Sequence, residues 1–382
     1  MHILIAPNAF KNSLSASAAA DAIGEGLQQG KLDCTFECFP IGDGGDGTAE
    51  LIIKKHNGTF VHVQVNDPLG RKVSASFGLT DDGKTAVIEM ADASGLKLLA
   101  PAEQDPLHAS SSGTGELIKK ALDEGVTRII LCIGGSATVD GGCGILQALG
   151  MRFLDKSENG LTGMPESLVD LTVIDSSSLD HRIKNIELIV LCDVDNLLLG
   201  ENGAAEIFGP QKGATKKDVE KLEKALTRLS EITLRQTGKD MKVVKHGGTA
   251  GGTAAGLAIF LQAKLVKGID YFLDITRFDE ALQKADLLIT GEGSIDLQTL
   301  QGKGPFGVAH RAKEKNIPVI GIAGRLPLEI DKQLQQYFDV LIPLGHEPVE
   351  IKTAFQNTKS DLLRTAIQIS NFLALKKCIK TC

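Results

Sequence analysis

TFVHVQVNDPLGRKVSASFGLTDDGKTAVIEM, residues 59–90, decides how the rest of the chain divides. Apolar residues recur at every second position: Val61, Val63 and Val65, then Val73, Ala75 and Phe77, then Ala86 and Ile88, with the turn-forming segments NDPLG and TDDGK between the runs. Period two puts alternate side chains on one face of a strand, and short turns join strands that run antiparallel. The stretch reads as an antiparallel meander, not as a helical crossover. Inside it, Gly78–Thr85 spells GLTDDGKT and formally satisfies G-x-x-x-x-G-K-[ST]. A phosphate-cradling loop of that kind must open a helix. The alternating TAVIEM that follows is strand, so Asp81, Asp82 and Gly83 form a hairpin turn and Lys84 is a hairpin lysine.

Towards the N-terminus the pattern is β-α-β-α, with an apolar run Ile3–Ala6, a helical stretch Ser15–Leu27, a strand near Phe36–Ile41 and a helix Thr48–Lys55. Beyond the meander come a helix near Glu116–Glu124, buried strands Arg128–Ile133 and Leu188–Cys192, and a charged helix after Thr215. After a glycine-rich stretch, Gly247–Gly256, short units return: strand Ala285–Thr290, helix Gly304–Lys315, strands Val319–Ala323 and Tyr337–Pro343, and a final helix from Asp361. These last units resemble the first in size. The expected fold is therefore α/β with two α/β domains. One is a Rossmann-like parallel-sheet domain built from both termini, residues 1–58 plus 283–382; the other is an inserted mixed α/β domain, residues 59–282, which carries the meander. The ligand cleft is expected between them.

Composition narrows the partners. The 382 residues are 42% hydrophobic and 23% charged, which fits a globular chain and excludes a disordered or fibrous one. A net charge of −7 without a Lys/Arg-rich stripe argues against nucleic acid. No Trp and only two Tyr remove the aromatic platforms that stack bases and glycans, while 42 Gly favour backbone-lined sites for small polar ligands. Seven Cys without a C-x-x-C pair read as reduced thiols. With no signal-like leader and no apolar run of spanning length, a cytoplasmic protein with no membrane partner is expected.

Five segments can carry chemistry. PNAFKNSLS, Pro7–Ser15, ends the first strand and offers Lys11 as a point charge for a carboxylate or phosphate, or as a solvated lysine. Gly42–Gly47, GDGGDG, stands between a strand and a helix as a dinucleotide fingerprint does. Asp43 and Asp46 would repel a pyrophosphate there unless a cation or a hydroxyl-bearing substrate intervened, and the alternative is a glycine-rich connection with solvated acids. Ile133–Gly144, IGGSATVDGGCG, follows the strand RIILC, and its amides, those of Gly134 and Gly135 among them, can turn toward an anion at a helix start. Ser136 and Thr138 add hydroxyls there, and Asp140 either positions a metal or substrate hydroxyl or caps the helix. In CDVDN, period two puts Asp193 and Asp195 on one face at a strand's C-terminal edge, which suits magnesium and also approximates the aspartyl nucleophile of haloacid-dehalogenase phosphatases. Finally, TGEGSIDLQTLQGKGPFGVA gathers Glu292, Asp296, Thr299 and Lys303 before a helix, as a phosphate or metal-nucleotide site or as a solvated loop.

The ordered set PNAFKNSLSA, IGDGGDGT, IEMADASGL, GTGELI, CIGGSATVDGG, CDVDN, FGPQKGA and TGEGSIDLQTLQGK resembles the bacterial glycerate kinase family of the sugar-acid catabolic type. The likeness runs from residue 1 to beyond Gly324 and weakens towards the C-terminus. It implies a two-domain kinase that moves the γ-phosphoryl of ATP to a hydroxyl of D-glycerate with Mg2+, giving phosphoglycerate, in the best-known members 2-phosphoglycerate, and ADP. It also implies catalytic roles for Asp193, Lys11 and Asp43 and a metal role for Asp193 and Asp195. Substrate or phosphate contacts fall to Asn8, Ser13, Asp46, Gly134, Gly135, Ser136, Thr138, Asp140, Glu292, Asp296, Thr299 and Lys303. The chain has Asn8, Asp46, Val139 and Leu197 where the family usually shows Asp, Glu, Asn and Pro. Small-molecule partners, glycerate and ATP, are expected, and a homodimer is left open. The competing readings are a phosphatase or phosphotransferase using Asp193 as nucleophile, and a non-catalytic sugar-acid sensor.

Overall fold

Two sheets organise the chain in the computed structural model, which describes residues 1–379. The first has five strands, all parallel, in the order Val340–Pro343, Val319–Arg325, Leu287–Ser294, His2–Ile5, Thr35–Cys38. The chain starts on His2–Ile5, moves to Thr35–Cys38 on one side, and much later takes up Leu287–Ser294 on the other. Connections thus leave in opposite directions between His2–Ile5 and Leu287–Ser294, the switch point at which open α/β sheets bind ligands, beyond the strands' C-terminal ends. The two ends of the described chain build this unit, residues 1–43 together with 269–379.

The helix Ala16–Gln29 begins because Ser15 accepts the Ala18 amide at 3.3 Å and because small apolar residues follow. Ala19, Ala20, Ile23 and Leu27 are buried against the sheet. Gly26 and Gly30 admit the long helix Ile351–Ile379: a Cβ at Gly26 would stand 2.4 Å from the Leu363 carbonyl oxygen, and one at Gly30 2.2 Å from Ser370 Oγ. That helix starts at Ile351, earlier than the expected Asp361.

The second sheet has six strands, in the order Lys264–Lys267, Glu187–Cys192, Arg128–Cys132, Thr85–Glu89, Lys72–Thr80, Thr59–Asn66. The first four are parallel and the last two antiparallel. The meander pairs its apolar positions across strands, Val61 with Phe77, Val63 with Ala75, Val65 with Val73 and Phe77 with Ile88. Asp81 and Asp82, at φ 53° and 54°, make the turn with Gly83, and Lys84 is exposed on the following residue, so GLTDDGKT is a hairpin. The α/β class with a parallel sheet and a mixed sheet is as the patterning predicts.

The two compact units divide after Asp43 and after Gly268, where the sequence reading placed the divisions after 58 and 282. The helix Thr48–Lys55 belongs with the second sheet because Ile53 fills the space left by Gly78, whose Cβ would lie 2.2 Å from Ile53 Cγ1. The residues after Gly268 belong with the first sheet. Ile269 packs on Gly307, and the Phe278 ring meets Phe39 edge-on at 5.2 Å.

Elements that escaped the periodicity argument include the strand Lys264–Lys267, the two-stranded sheet Arg152–Leu154 with Val173–Asp175, the helix Thr253–Leu261 inside the glycine-rich stretch, and the helix Gly268–Ile275. The strands are too short to show a period, and the helix Thr253–Leu261 is apolar on most of its surface and has no polar face to mark it. Among the described residues no helix is long and apolar enough to cross a membrane. Among the described residues, Cys38, Cys143 and Cys192 are free thiols.

Candidate active site

At the switch point of the first unit, the loops that follow three of its strands meet a residue of the strand Leu287–Ser294. Asn8, just past His2–Ile5, donates from Nδ2 to Asp43 Oδ2 at 2.8 Å, and its own Oδ1 accepts the Ala9 amide at 2.8 Å. The Gly304 amide approaches the same Asp43 oxygen at 3.4 Å, and a Cβ at Gly304 would come within 2.8 Å of Asn8 Nδ2. Glu292 lies on Leu287–Ser294 itself, buried, and accepts from Thr299 Oγ1 at 3.0 Å. Asp296 sets that threonine in place: its amide donates to Thr299 Oγ1 at 3.1 Å and its Oδ1 accepts the Gln298 amide at 2.9 Å. Burial pushes the Glu292 carboxyl up to about 7; Lys303 and Lys11 pull it down and Asp43 pushes it further up. Lys11, Asp43, Glu292, Thr299 and Lys303 therefore form one electrostatic neighbourhood.

Lys11 is exposed on a tight turn closed by the Phe10 amide donating to the Leu14 carbonyl at 2.9 Å, with Asn12 at φ 64°. Ser13 Oγ donates to the Phe355 carbonyl at 2.6 Å. Its hydroxyl thus ties the Lys11 turn to the helix Ile351–Ile379.

In the second unit the glycine-rich stretches are packed on one another. The Gly134 amide donates to the Gly44 carbonyl at 3.0 Å, and a Cβ at Gly134 would lie 2.4 Å from Gly45 Cα. Gly135, at φ 71°, lies against Asp46, whose Oδ1 would be 2.3 Å from an added Cβ. The Gly141 amide donates to Gly251 at 3.0 Å and the Ala137 amide to Ser94 at 2.9 Å. Asp140 is buried and accepts from the Ser111 amide at 2.9 Å, Ser111 Oγ at 2.6 Å, the Gly142 amide at 3.0 Å and the Gly144 amide at 3.1 Å. The sequence predicts that this loop's amides turn toward an anion. In the structure the N–H groups of Gly134, Ala137, Gly141, Gly142 and Gly144 each donate within the fold, and Asp140 fastens the start of the helix Cys143–Ala148.

Two residues that the sequence reading left out of the site stand close to this loop. Lys212 is buried, and its Nζ donates to Ser136 Oγ at 2.9 Å and to the Thr138 carbonyl at 2.7 Å. Burial lowers its ammonium to about 8, opposed by the charges of Asp140 and Asp193. Its signal lay in FGPQKGA, but a lone lysine carries no spacing to mark it. Glu89, at the end of Thr85–Glu89, accepts the Gly47 amide at 2.8 Å and the Ala49 amide at 3.3 Å, and so pins the turn that carries Asp46. Burial pushes this carboxyl up to about 7, and Lys97 pulls against it.

Asp193 and Asp195 follow the strand Glu187–Cys192. Asp193 is half-buried, whereas Asp195 is exposed and places Oδ1 2.9 Å from Nδ1 of the buried His246. That nitrogen is also 2.9 Å from the Val194 carbonyl. Among the described residues no group of three or more His, Cys, Asp or Glu is gathered to hold a metal ion.

Comparison with known proteins follows the same lines. A family model described as "Glycerate kinase family" matches residues 3–374. The chain is 43% identical to a glycerate kinase of Bacillus subtilis, covering 99% of each chain. It is also 43% identical to a glycerate 2-kinase of Escherichia coli, over 98% of each. A solved structure assigned as a glycerate kinase 2 from Salmonella typhimurium superposes with a TM-score of 0.81 at 43% identity, over 99% of each chain.

Proposed function

The chain belongs to the glycerate kinase family, and from that membership we propose that it transfers the γ-phosphoryl group of ATP to the 2-hydroxyl of D-glycerate, giving 2-phosphoglycerate and ADP. The observation that carries the proposal is the end-to-end match at 43% identity with proteins named as glycerate kinases, one of them as a glycerate 2-kinase. The phosphatase and sensor readings have no observation of that kind behind them.

Phosphoryl transfer asks the protein to align donor and acceptor and to neutralise the oxygens of the moving group. Lys11 and Lys303 supply positive charge at the switch point of the first unit and receive anionic oxygens of the substrates. Asn8 and Asp43 offer a donor–acceptor pair there for a hydroxyl. In the second unit, Lys212 keeps a cation on the Ser136–Thr138 strip, and Asp193 is the first residue past the strand Glu187–Cys192. Two carboxylates at one strand end, with solvent access on Asp195, fit magnesium, which takes one or two protein carboxylates and completes its shell with phosphates and water. When bound by Asp193 and Asp195 it would neutralise phosphate oxygens.

The test is ADP release by the purified protein with ATP and Mg2+. Release is expected to be strong with D-glycerate, weak with lactate, which lacks the second hydroxyl, and absent without an acceptor. Absence of any D-glycerate-dependent release would end the proposal.

A further inference from the structure

Glu292 is out of character with its surroundings. The substrates of a glycerate kinase are anions, and a carboxylate among the lysines that receive them repels both unless it has a separate task. It lies on the strand Leu287–Ser294, beside the switch point, and is only 7% exposed. One of its oxygens is held by Thr299 Oγ1 at 3.0 Å, and Thr299 is in turn held by the Asp296 amide at 3.1 Å. The carboxylate is thus oriented by a rigid strand and a hydrogen-bonded turn, as a group needs to be when it must meet one particular proton.

We propose that Glu292 is the general base of the transfer. Its carboxylate accepts the proton of the glycerate hydroxyl as that oxygen bonds to the γ-phosphorus of ATP and the bond between the γ-phosphorus and the β,γ-bridging oxygen breaks. ADP leaves, and the proton passes from Glu292 to water. The inference rests on the glycerate kinase reading and adds a role that binding alone does not require.

Two features support it beyond orientation. Burial holds the carboxyl near 7, so at neutral pH it is a far stronger base than an ordinary carboxylate and is still ionised in a large part of the molecules. The groups that face it are Lys303, Lys11, Asp43 and Thr299. Burial favours its protonated form, the charges of Lys303 and Lys11 favour the carboxylate, and Asp43 adds to the effect of burial.

The experiment is the pH profile of kcat for the wild-type protein and for Glu292→Gln and Thr299→Val. Wild-type kcat should fall as pH drops through about 7, where the base is lost to protonation. Glu292→Gln should lower kcat by about 10²-fold or more, leave KM for D-glycerate within about threefold, and abolish that limb. Thr299→Val removes a hydrogen bond that favours the carboxylate, so its limb should move to higher pH. A Glu292→Gln enzyme within about threefold of wild-type kcat, or a limb that Thr299→Val leaves in place, would overturn the assignment. Should Glu292→Gln fail to fold, the Thr299→Val shift decides. Wild-type protein inactive with D-glycerate would instead sink the kinase reading, so the two failures are distinguishable.

Discussion

The side-chain amide of Asn8 donates to Asp43 Oδ2 at 2.8 Å, so a neutral residue and a carboxylate meet where the chain leaves two adjacent parallel strands. The neutrality matters. An Asp at position 8 would set two carboxylates at hydrogen-bonding distance, and one of them would have to keep its proton or share a cation.

Asn8→Asp should therefore be destabilised in a pH-dependent way. A carboxyl whose folded pKa is raised binds more protons in the folded state than in the unfolded chain, so its contribution falls as pH rises through the folded pKa. The melting-temperature gap to wild type should widen between about pH 5 and pH 8, as read by thermal denaturation. A gap that stays constant over that range would show that the two acids do not interact.

Asp193 and Asp195 should separate in their effects. Asp195 is exposed and paired with His246, while Asp193 stands nearer the buried Lys212, whose ammonium feels its charge. Asp193→Ala should cut turnover by about 10²-fold or more while leaving the folded fraction intact, as loss of a charge in phosphoryl transfer does. Asp195→Ala should cost less than about tenfold. Equal losses in steady-state kinetics would contradict the division of roles, and a phosphorylated Asp193 in enzyme quenched during turnover would point back to a covalent mechanism.

Lys212→Met keeps the length of the side chain and removes the charge. Ser136 Oγ and the Thr138 carbonyl lose a donor, but a buried ammonium is no longer desolvated, so stability should change by no more than about 2 kcal/mol. Turnover should still fall by about 10²-fold because the cation is gone, and Lys212→Arg should recover part of it. A fully active Lys212→Met enzyme would reduce Lys212 to a packing role.

The parts of the fold legible in the sequence are those with a period. The alternation from Val61 to Ile88 locates the meander, and because it identifies Lys84 as a hairpin residue, Lys84→Ala should leave kcat within about twofold. The apolar runs around Ile3, Arg128 and Leu287 give the parallel strands. The site was legible only in part. A glycine-rich sequence cannot say whether its amides turn to a ligand or to another loop; the Gly134 amide goes to Gly44 and the Gly142 amide to Asp140. Lys212 meets Ser136 across 76 residues of sequence, a separation at which no local spacing rule reports contact. The unit boundary after Asp43 was hidden because it depends on Ile53 seating on Gly78, a packing fact with no pattern of its own.

Transfer to the 2-hydroxyl of D-glycerate is tested most directly by the phosphorus NMR spectrum of the product. Protein incubated with ATP, Mg2+ and D-glycerate should yield one new phosphate ester whose phosphorus is split into a doublet by the single proton on carbon 2, together with ADP. A triplet, from the two protons on carbon 3, would contradict the 2-hydroxyl assignment. Inorganic phosphate alone, with no ester, would contradict transfer to glycerate.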